Sequence, residues 1–255
     1  METVTVQDRE PVTLTLDQYG TGRPILLLHG GAGPISVTGF ARLLADREPV
    51  RVITPTHPGF GGTPRPDWLD SPAGLAELYR ALIEQLDLSD VVVVGNSVGG
   101  WIAAELALLH SPRVGRVILV DAVGVDVPGE PVLDIFPLSL SRLADFSYHT
   151  PDAFRIDEST MSDAQRAGMA ANREALRIYG AGMTDPSRRE RLAGVAVPVL
   201  VVWGESDRVV TPDYGRAFAE AIPGARFELL PGTGHVPQIE TPDLLLKTLE
   251  KEVRS

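Results

Sequence analysis

A serine stands between glycines in Val94-Gly95-Asn96-Ser97-Val98-Gly99-Gly100-Trp101, the pattern G-x-S-x-G, directly behind the run Val91–Val94. A hydroxyl attacks a carbonyl when the backbone lifts it clear of its neighbours and a base takes its proton. A sharp strand-to-helix turn does the lifting, and Gly95 and Gly99 keep that turn from striking adjacent backbone. The N–H of Val98, at the head of the following helix, then faces a developing oxyanion. A tight turn with a helix-capping serine is the plainer alternative. The apolar run before the motif and the helical pattern after it favour the nucleophile.

A second N–H is sought in Leu26-Leu27-Leu28-His29-Gly30-Gly31-Ala32-Gly33-Pro34, a glycine-rich loop behind another apolar run. Gly31 is assigned the second oxyanion donor and Gly30 a place in the pocket, whereas His29 reads as a structural residue bonding the loops. No lysine follows these glycines and the loop is not G-x-G-x-x-G, so it does not fit a phosphate site.

Of five histidines, His235 is the candidate base. Pro231-Gly232-Thr233-Gly234-His235-Val236-Pro237 is a flexible loop before the last helix, able to fold an imidazole over Ser97. His110 is read in the last turn of the helix behind the serine, where its partial charge suits the carbonyl end. His149 lies in a polar middle segment, and His57, in Thr56-His57-Pro58-Gly59-Phe60-Gly61-Gly62, is a candidate pocket residue. The acid that orients the imidazole should follow a strand. Val199–Trp203 leads into Gly204-Glu205-Ser206-Asp207, and Asp207 is favoured because it sits within the turn. Glu205 reads as a surface acid; Asp121 and Asp126 remain competitors.

Elements must carry these residues. Val4, Val6, Val12, Leu14 and Leu16 alternate with polar residues, as half-buried strands do. Ile25–Leu28, Val50–Ile53, Val91–Val94, Val117–Val120, Val197–Trp203 and Phe227–Leu230 are apolar runs, which implies strands covered on both faces. Residues 71–86, 98–110, 212–221 and 242–253 have helical spacing. Ser71-Pro72, Thr211-Pro212 and Thr241-Pro242 each offer a hydroxyl at the N-cap and proline at N1. This alternation predicts an α/β architecture, a mostly parallel central sheet with helices on both faces. From about Val123 to Gly194 no buried-strand run appears, and helices are expected near Pro137–Phe146 and over 161–179. The expected division is a core over 1–122, a helical cap over 123–194, and the rest of the core over 195–255.

Composition narrows the chemistry. Without cysteine, thiol nucleophiles, thiolate zinc sites and disulfides drop out. With 34 acidic against 23 basic side chains and a net charge of -11, no nucleic-acid partner is expected. No clustered ligand set points to a metal and no loop to a nucleotide, so no cofactor is expected. Glu2, Asp8, Arg9 and Glu10 break up any secretory pattern, and no apolar run reaches the roughly 18 residues of a membrane span. A cytoplasmic location is the expectation.

Together these motifs resemble the α/β-hydrolase fold family over essentially the whole chain. The landmarks are His29-Gly30-Gly31, Pro58-Gly59-Phe60-Gly61, the serine elbow, Trp203 to Asp207, and Gly234-His235 running to Glu240 and Pro242. The order serine, acid, histidine agrees with that fold. The resemblance implies a triad of Ser97, Asp207 and His235 and a lid corresponding to 123–194. Thr56 stands where the family often has aspartate before its x-P-G-x-G loop. Serine as nucleophile argues against the dehalogenases and epoxide hydrolases, which need aspartate there. Gly95-Asn96-Ser97-Val98-Gly99-Gly100 is similar to hydrolases that cleave carbon–carbon bonds in aromatic ring-cleavage products. Those usually show G-x-G-P-G in the oxyanion loop and tryptophan after the histidine, where this chain has Gly31-Ala32-Gly33-Pro34 and Val236. Similarity to prolyl aminopeptidases rests on His29-Gly30-Gly31 alone.

The expected reaction is serine hydrolysis of a small apolar, ester-like acyl substrate through an acyl-enzyme, as in carboxylesterases. Carbon–carbon hydrolysis and non-catalytic ligand binding are the alternatives. Candidate pocket residues are Gly30, His57, Trp101, Phe136, Phe146, Tyr148 and Val236, with packing the plainer role for Trp101. Leu138, Leu140, Leu143, Phe154, Met161, Met169 and Tyr179 are divided between the cap's own core and the substrate.

Overall fold

The computed structural model describes residues 1–254. Its strands are β1 (Glu2–Val4), β2 (Val12–Leu14), β3 (Leu16–Gly20), β4 (Arg23–Leu28), β5 (Val50–Pro55), β6 (Val91–Asn96), β7 (Val114–Val120), β8 (Gly124–Val125), β9 (Thr184–Asp185), β10 (Val199–Gly204) and β11 (Arg226–Leu230). Its helices are α1 (Ile35–Arg47), α2 (Pro72–Gln85), α3 (Val98–Leu108), α4 (Leu140–Ser147), α5 (Pro151–Phe154), α6 (Asp163–Tyr179), α7 (Arg188–Arg191), α8 (Pro212–Glu220), α9 (Pro237–Glu240) and α10 (Pro242–Arg254).

Five of the six apolar runs become the interior strands of a seven-stranded sheet ordered β11-β10-β7-β6-β4-β5-β3. Its neighbours run parallel except β3, which pairs antiparallel with β5, Leu16 opposite Pro55 and Gly20 opposite Arg51. Phe227–Leu230, expected to be covered on both faces, falls instead in the edge strand β11 with Glu228 and Leu229 exposed, because among the described residues no further strand pairs beyond it. β1 and β2 form a separate antiparallel pair. A run with no polar residue needs cover on both sides, and β6 has it. Val91 and Val93 enter one core cluster with residues of α2, α3 and α8; Val92 and Val94 enter the other with residues of α1 and α10. Each valine so buried contributes about 1.5–3 kcal/mol relative to exposure. Chain order reverses around β4, whose neighbours are β5 on one side and β6 on the other. The crevice beyond the carboxyl ends of strands at such a switch point is where ligands bind in open α/β sheets.

The caps follow the sequence. Ser71 Oγ accepts from Gly74 N at 3.3 Å and Thr211 Oγ1 from Tyr214 N at 3.2 Å, each with proline next in line. α1 has no counterpart among the expected helices. It has no capping side chain, and Val37, Thr38 and Gly39 weaken its propensity. Burial of Val37, Phe40, Ala41 and Leu44 against the sheet outweighs that. His110 departs from its expected place. α3 stops at Leu108, and His110 is an exposed residue beyond it at φ 51, the left-handed position that ends a helix.

Between β7 and β10 lies a late helical insertion that includes α4 to α7. Helices expected near 137–146 and over 161–179 appear as α4 and α6. The short strands β8 and β9, which the sequence did not signal, pair parallel at the insertion's two ends. Among the described residues no helix is long and apolar enough to cross a membrane.

Candidate active site

Ser97 occupies the bend between β6 and α3 at φ 55 and ψ -120, a conformation that strains any residue with a Cβ. Surrounding backbone pins it: its N–H donates to Val120 O at 3.0 Å, and its carbonyl accepts from Trp101 N and Val123 N. The bend is passable only without side chains at its flanks. A Cβ on Gly95 would lie 2.1 Å from Gly99 O, and one on Gly99 would lie 2.3 Å from Leu28 O.

The loop after β11 brings His235 to the serine from 138 residues away, with Nε2 3.0 Å from Ser97 Oγ. On its other side Nδ1 lies 2.8 Å from Asp207 Oδ2. A carboxylate only accepts, so Nδ1 carries the hydrogen and Nε2 is free to receive the serine proton. Asp207 is fixed in turn by Val209 N and Val210 N, which donate to Oδ1 at 2.8 and 3.1 Å. All three side chains are buried.

Other acids have different places. Glu205 is exposed and accepts from Gly232 N, and Asp126 is exposed. Asp121 is completely buried; one oxygen accepts from Gly204 N at 2.7 Å. Burial, and secondly the Asp207 carboxylate beside it, push its carboxyl well above the usual range. Asp121, Asp207 and His235 place one donor atom each within 4.8 Å of one another. Yet the His235 and Asp207 atoms bond each other, and backbone N–H groups take further lone pairs. This donor set suits a shared proton better than a cation.

Gly30 lies against Ser97, and Gly31 lines the cavity in front of it. His29 and His57 brace this loop from behind. Gly30 O can only accept, so His29 Nδ1 donates to it at 2.8 Å, leaving Nε2 to accept from His57 N at 3.1 Å. His57 Nε2 donates to His29 O at 2.9 Å and Nδ1 accepts from the Tyr79 hydroxyl. Both rings are therefore neutral donor–acceptor bridges. Burial lowers His29 to a pKa of about 4 and, helped by His29, holds His57 well below its usual value. His57 is structural, not a cavity residue.

An apolar cavity of about 140 Å³ opens on Ser97 and His235. Among the expected pocket residues Val236 lines it, as do Leu140, Leu143 and Met169 from the insertion. Gly30, Trp101, Phe136, Phe146 and Tyr148 do not. Trp101 lies beneath the Arg188 guanidinium, Phe136 beneath Arg177, and Tyr148 stacks on Phe154. Phe146 lends its carbonyl to Arg208 N. Tyr179 reaches from α6 to Pro58 O at 2.9 Å, and His149 bonds Ser206 Oγ at the surface.

Three contributors had no assigned role in the sequence. Asn96 Nδ2 donates to His235 O at 3.0 Å and to Val120 O at 3.2 Å, tying the histidine loop to the serine strand. Its place before Ser97 in the motif was the available signal. Leu176 covers Gly31. Among the described residues Arg173 is the one permanently charged side chain lining the cavity. Its Nη2 donates to the carbonyls of Ile135, Phe136 and Leu138, and among the described residues no carboxylate pairs with it.

The alpha/beta hydrolase family pattern matches residues 25–248. The chain is 30% identical over 250 residues to 2-hydroxymuconate semialdehyde hydrolase of Pseudomonas putida, covering 92% of this chain and 88% of that one. It is 30% identical over 235 residues to Lipase 3 of Moraxella sp. (strain TA144), covering 86% of this chain and 74% of that one. It is similar to the solved structure of a serine hydrolase involved in carbazole degradation, at 25% identity and a TM-score of 0.74, covering 98% and 96% of the two chains.

Proposed function

Because the chain belongs to the alpha/beta hydrolase family and is a serine hydrolase, we propose that Ser97, His235 and Asp207 are its nucleophile, base and orienting acid. We further propose that it hydrolyses the carbon–carbon bond beside an aldehyde or ketone carbonyl in small, carboxylate-bearing products of aromatic ring cleavage. The observation that carries the substrate class is Arg173. Among the described residues its guanidinium has backbone carbonyls as acceptors but no carboxylate partner, so its charge is available to an anionic group of a ligand in the cavity. The similarity to 2-hydroxymuconate semialdehyde hydrolase, which spans most of both chains, supports the same reading.

The steps follow from the hydrogen bonds. His235 Nε2 takes the Ser97 proton as Oγ adds to the carbonyl carbon. The oxyanion is received by the N–H groups of Gly31 and Val98, and one such donor is worth roughly 3–4 kcal/mol in the transition state. Collapse breaks the bond to the neighbouring carbon, which leaves with the electron pair, is stabilised by conjugation, and takes the proton back from His235. Water activated by His235 then releases the acyl group from Ser97. An ester would pass through the same steps with an alcohol as leaving group. That second reading is favoured by the otherwise apolar cavity lining and by Val236, which leaves the histidine without an aromatic neighbour in sequence.

Purified protein assayed on 2-hydroxymuconate semialdehyde and on p-nitrophenyl butyrate tests the choice. The dienoate is expected to lead in kcat/KM by at least about 100-fold, below the roughly 10⁴–10⁵-fold by which a site built to hydrogen-bond a polar group rejects a substrate lacking it. Ester turnover with no dienoate turnover would give the assignment to the ester reading.

A further inference from the structure

Asp121 directly follows β7 and is turned into the protein at φ 45, a backbone setting that costs free energy for any residue with a side chain. Its N–H donates to Val202 O at 3.0 Å and its Oδ1 accepts from Gly204 N at 2.7 Å, so the residue is anchored on the neighbouring strand. Oδ2 is different. It is fully buried and meets no donor. Beside Asp121, with one oxygen of each carboxyl within 4.8 Å of the other, is Asp207, itself engaged by His235 at Oδ2 and by Val209 and Val210 N–H at Oδ1. The titratable groups close to Asp121 are thus Asp207 and, within 4.8 Å, His235. No lysine or arginine bonds it among the described residues.

Two carboxyl groups this close, out of water and, among the described residues, with no arginine or lysine between them, do not both stay anions. One must hold a proton, and the hydrogen bonds say which. Asp207 accepts three N–H donors, one of them from the imidazole whose positive charge it must balance during turnover. Asp121 accepts one and leaves a buried oxygen with no donor, as suits a protonated O–H and not a carboxylate oxygen.

We propose that Asp121 is a neutral carboxylic acid that donates its O–H to the Asp207 carboxylate, making it a positioning residue behind the triad. This rests on the assignment of Asp207 and His235 made above. The proton removes the clash of charges, and the bond holds Asp207 with Oδ2 turned to His235. It also draws charge from Asp207, so the carboxylate stabilises the imidazolium less than a bare anion would. The direction in which burial and Asp207 push the Asp121 carboxyl agrees.

Two measurements test this. At neutral pH the infrared spectrum of the native protein should contain a protonated-carboxyl stretch that disappears in Asp121→Asn. In pH profiles of kcat/KM, Asp121→Asn keeps a neutral donor, so the acidic limb should stay within about 0.3 pH units of the native one while the rate falls a few-fold. Asp121→Ala removes the donor, and the limb should move up by about 0.5–1 unit. An absent infrared band, or an acidic limb that moves down in both variants, would mean that Asp121 is an anion and would overturn the proposal. The infrared result does not depend on turnover. Failure of the triad assignment would show separately, as a Ser97→Ala protein that keeps its activity.

Discussion

The helix that follows the serine and the helix that roofs it are built on opposite terms. In α3 every residue from Val98 to Ala107 is buried, whereas the longer α6 buries Ala175, Leu176 and Tyr179. α3 is wedged between sheet and neighbouring helices, and its glycines and alanines let backbone approach backbone. α6 is amphipathic, opened by a capping box of Ser162 and Gln165, and presents charge to solvent. It touches the core at a few points: Leu176 over Gly31, Tyr179 on Pro58 O, and Asn172 between Ala32 O and Gly61 N. The proposed reacting atoms sit where position is over-determined, and the cavity-lining residues of α6 sit where fewer contacts fix it. Segments with few buried contacts open most easily, so the roof is the part suited to admitting a substrate.

The contrast can be broken most sharply at Ser97. Ser97→Ala should lower kcat by about 10⁴–10⁶-fold on any substrate, with an unfolding midpoint close to the native one. A large loss of stability would show that the elbow serine has a packing role. One substitution in both helices is the next test. Gly99→Ala in α3 forces a Cβ to within 2.3 Å of Leu28 O and should cost about 3 kcal/mol or more in urea unfolding. Gly168→Ala in α6 meets nothing within 4 Å and should stabilise by about 0.5–1 kcal/mol. Equal effects would erase the distinction between wedged and resting helix.

The core should also be the acid-sensitive half. A histidine whose folded pKa lies below its unfolded one binds its proton more readily in the unfolded chain. Stability from His29 is therefore complete above pH 6.5 and lost as pH falls towards about 4, on the order of 3 kcal/mol in all. His57 acts in the same direction. Urea midpoints measured between pH 7 and 4 should fall accordingly; a flat profile would mean the two rings are not buried neutral bridges. The last test belongs to the roof. Arg173→Gln should raise KM for a carboxylate-bearing dienoate about 10–100-fold and change a neutral ester by less than about 3-fold. Equal losses on both would mean that Arg173 supports the fold of the insertion and not the anion.

Much of the core could be read in advance because its rules are short-ranged. G-x-S-x-G in front of a helix demands a bend whatever surrounds it, and valine runs demand cover. The pocket could not be read so. Phe136, Phe146 and Tyr148 were the aromatic candidates from the insertion, yet Leu140, Leu143 and Met169, left undivided between core and substrate, and the unforeseen Leu176 line the cavity. Which side of a cap helix turns inward depends on how it docks, and size or aromaticity does not encode that. Asp121 and Asp207 posed the same difficulty. Val120 pairs with Val202, so the acids following neighbouring strands arrive side by side, and only the path of the last loop decides which one meets the imidazole.

By itself, then, the chain's order of residues determined the strand–helix alternation, the elbow with its serine, and the histidine loop, because sterics, capping and burial act over a few residues. Tertiary structure alone decided that Ser97 and His235, 138 residues apart, stand 3.0 Å from each other. It likewise turned His57 into a brace, brought Arg173 to the cavity wall and left Asp121 beside Asp207. Those outcomes depend on strand order and on the docking of the insertion, and no local pattern carries either.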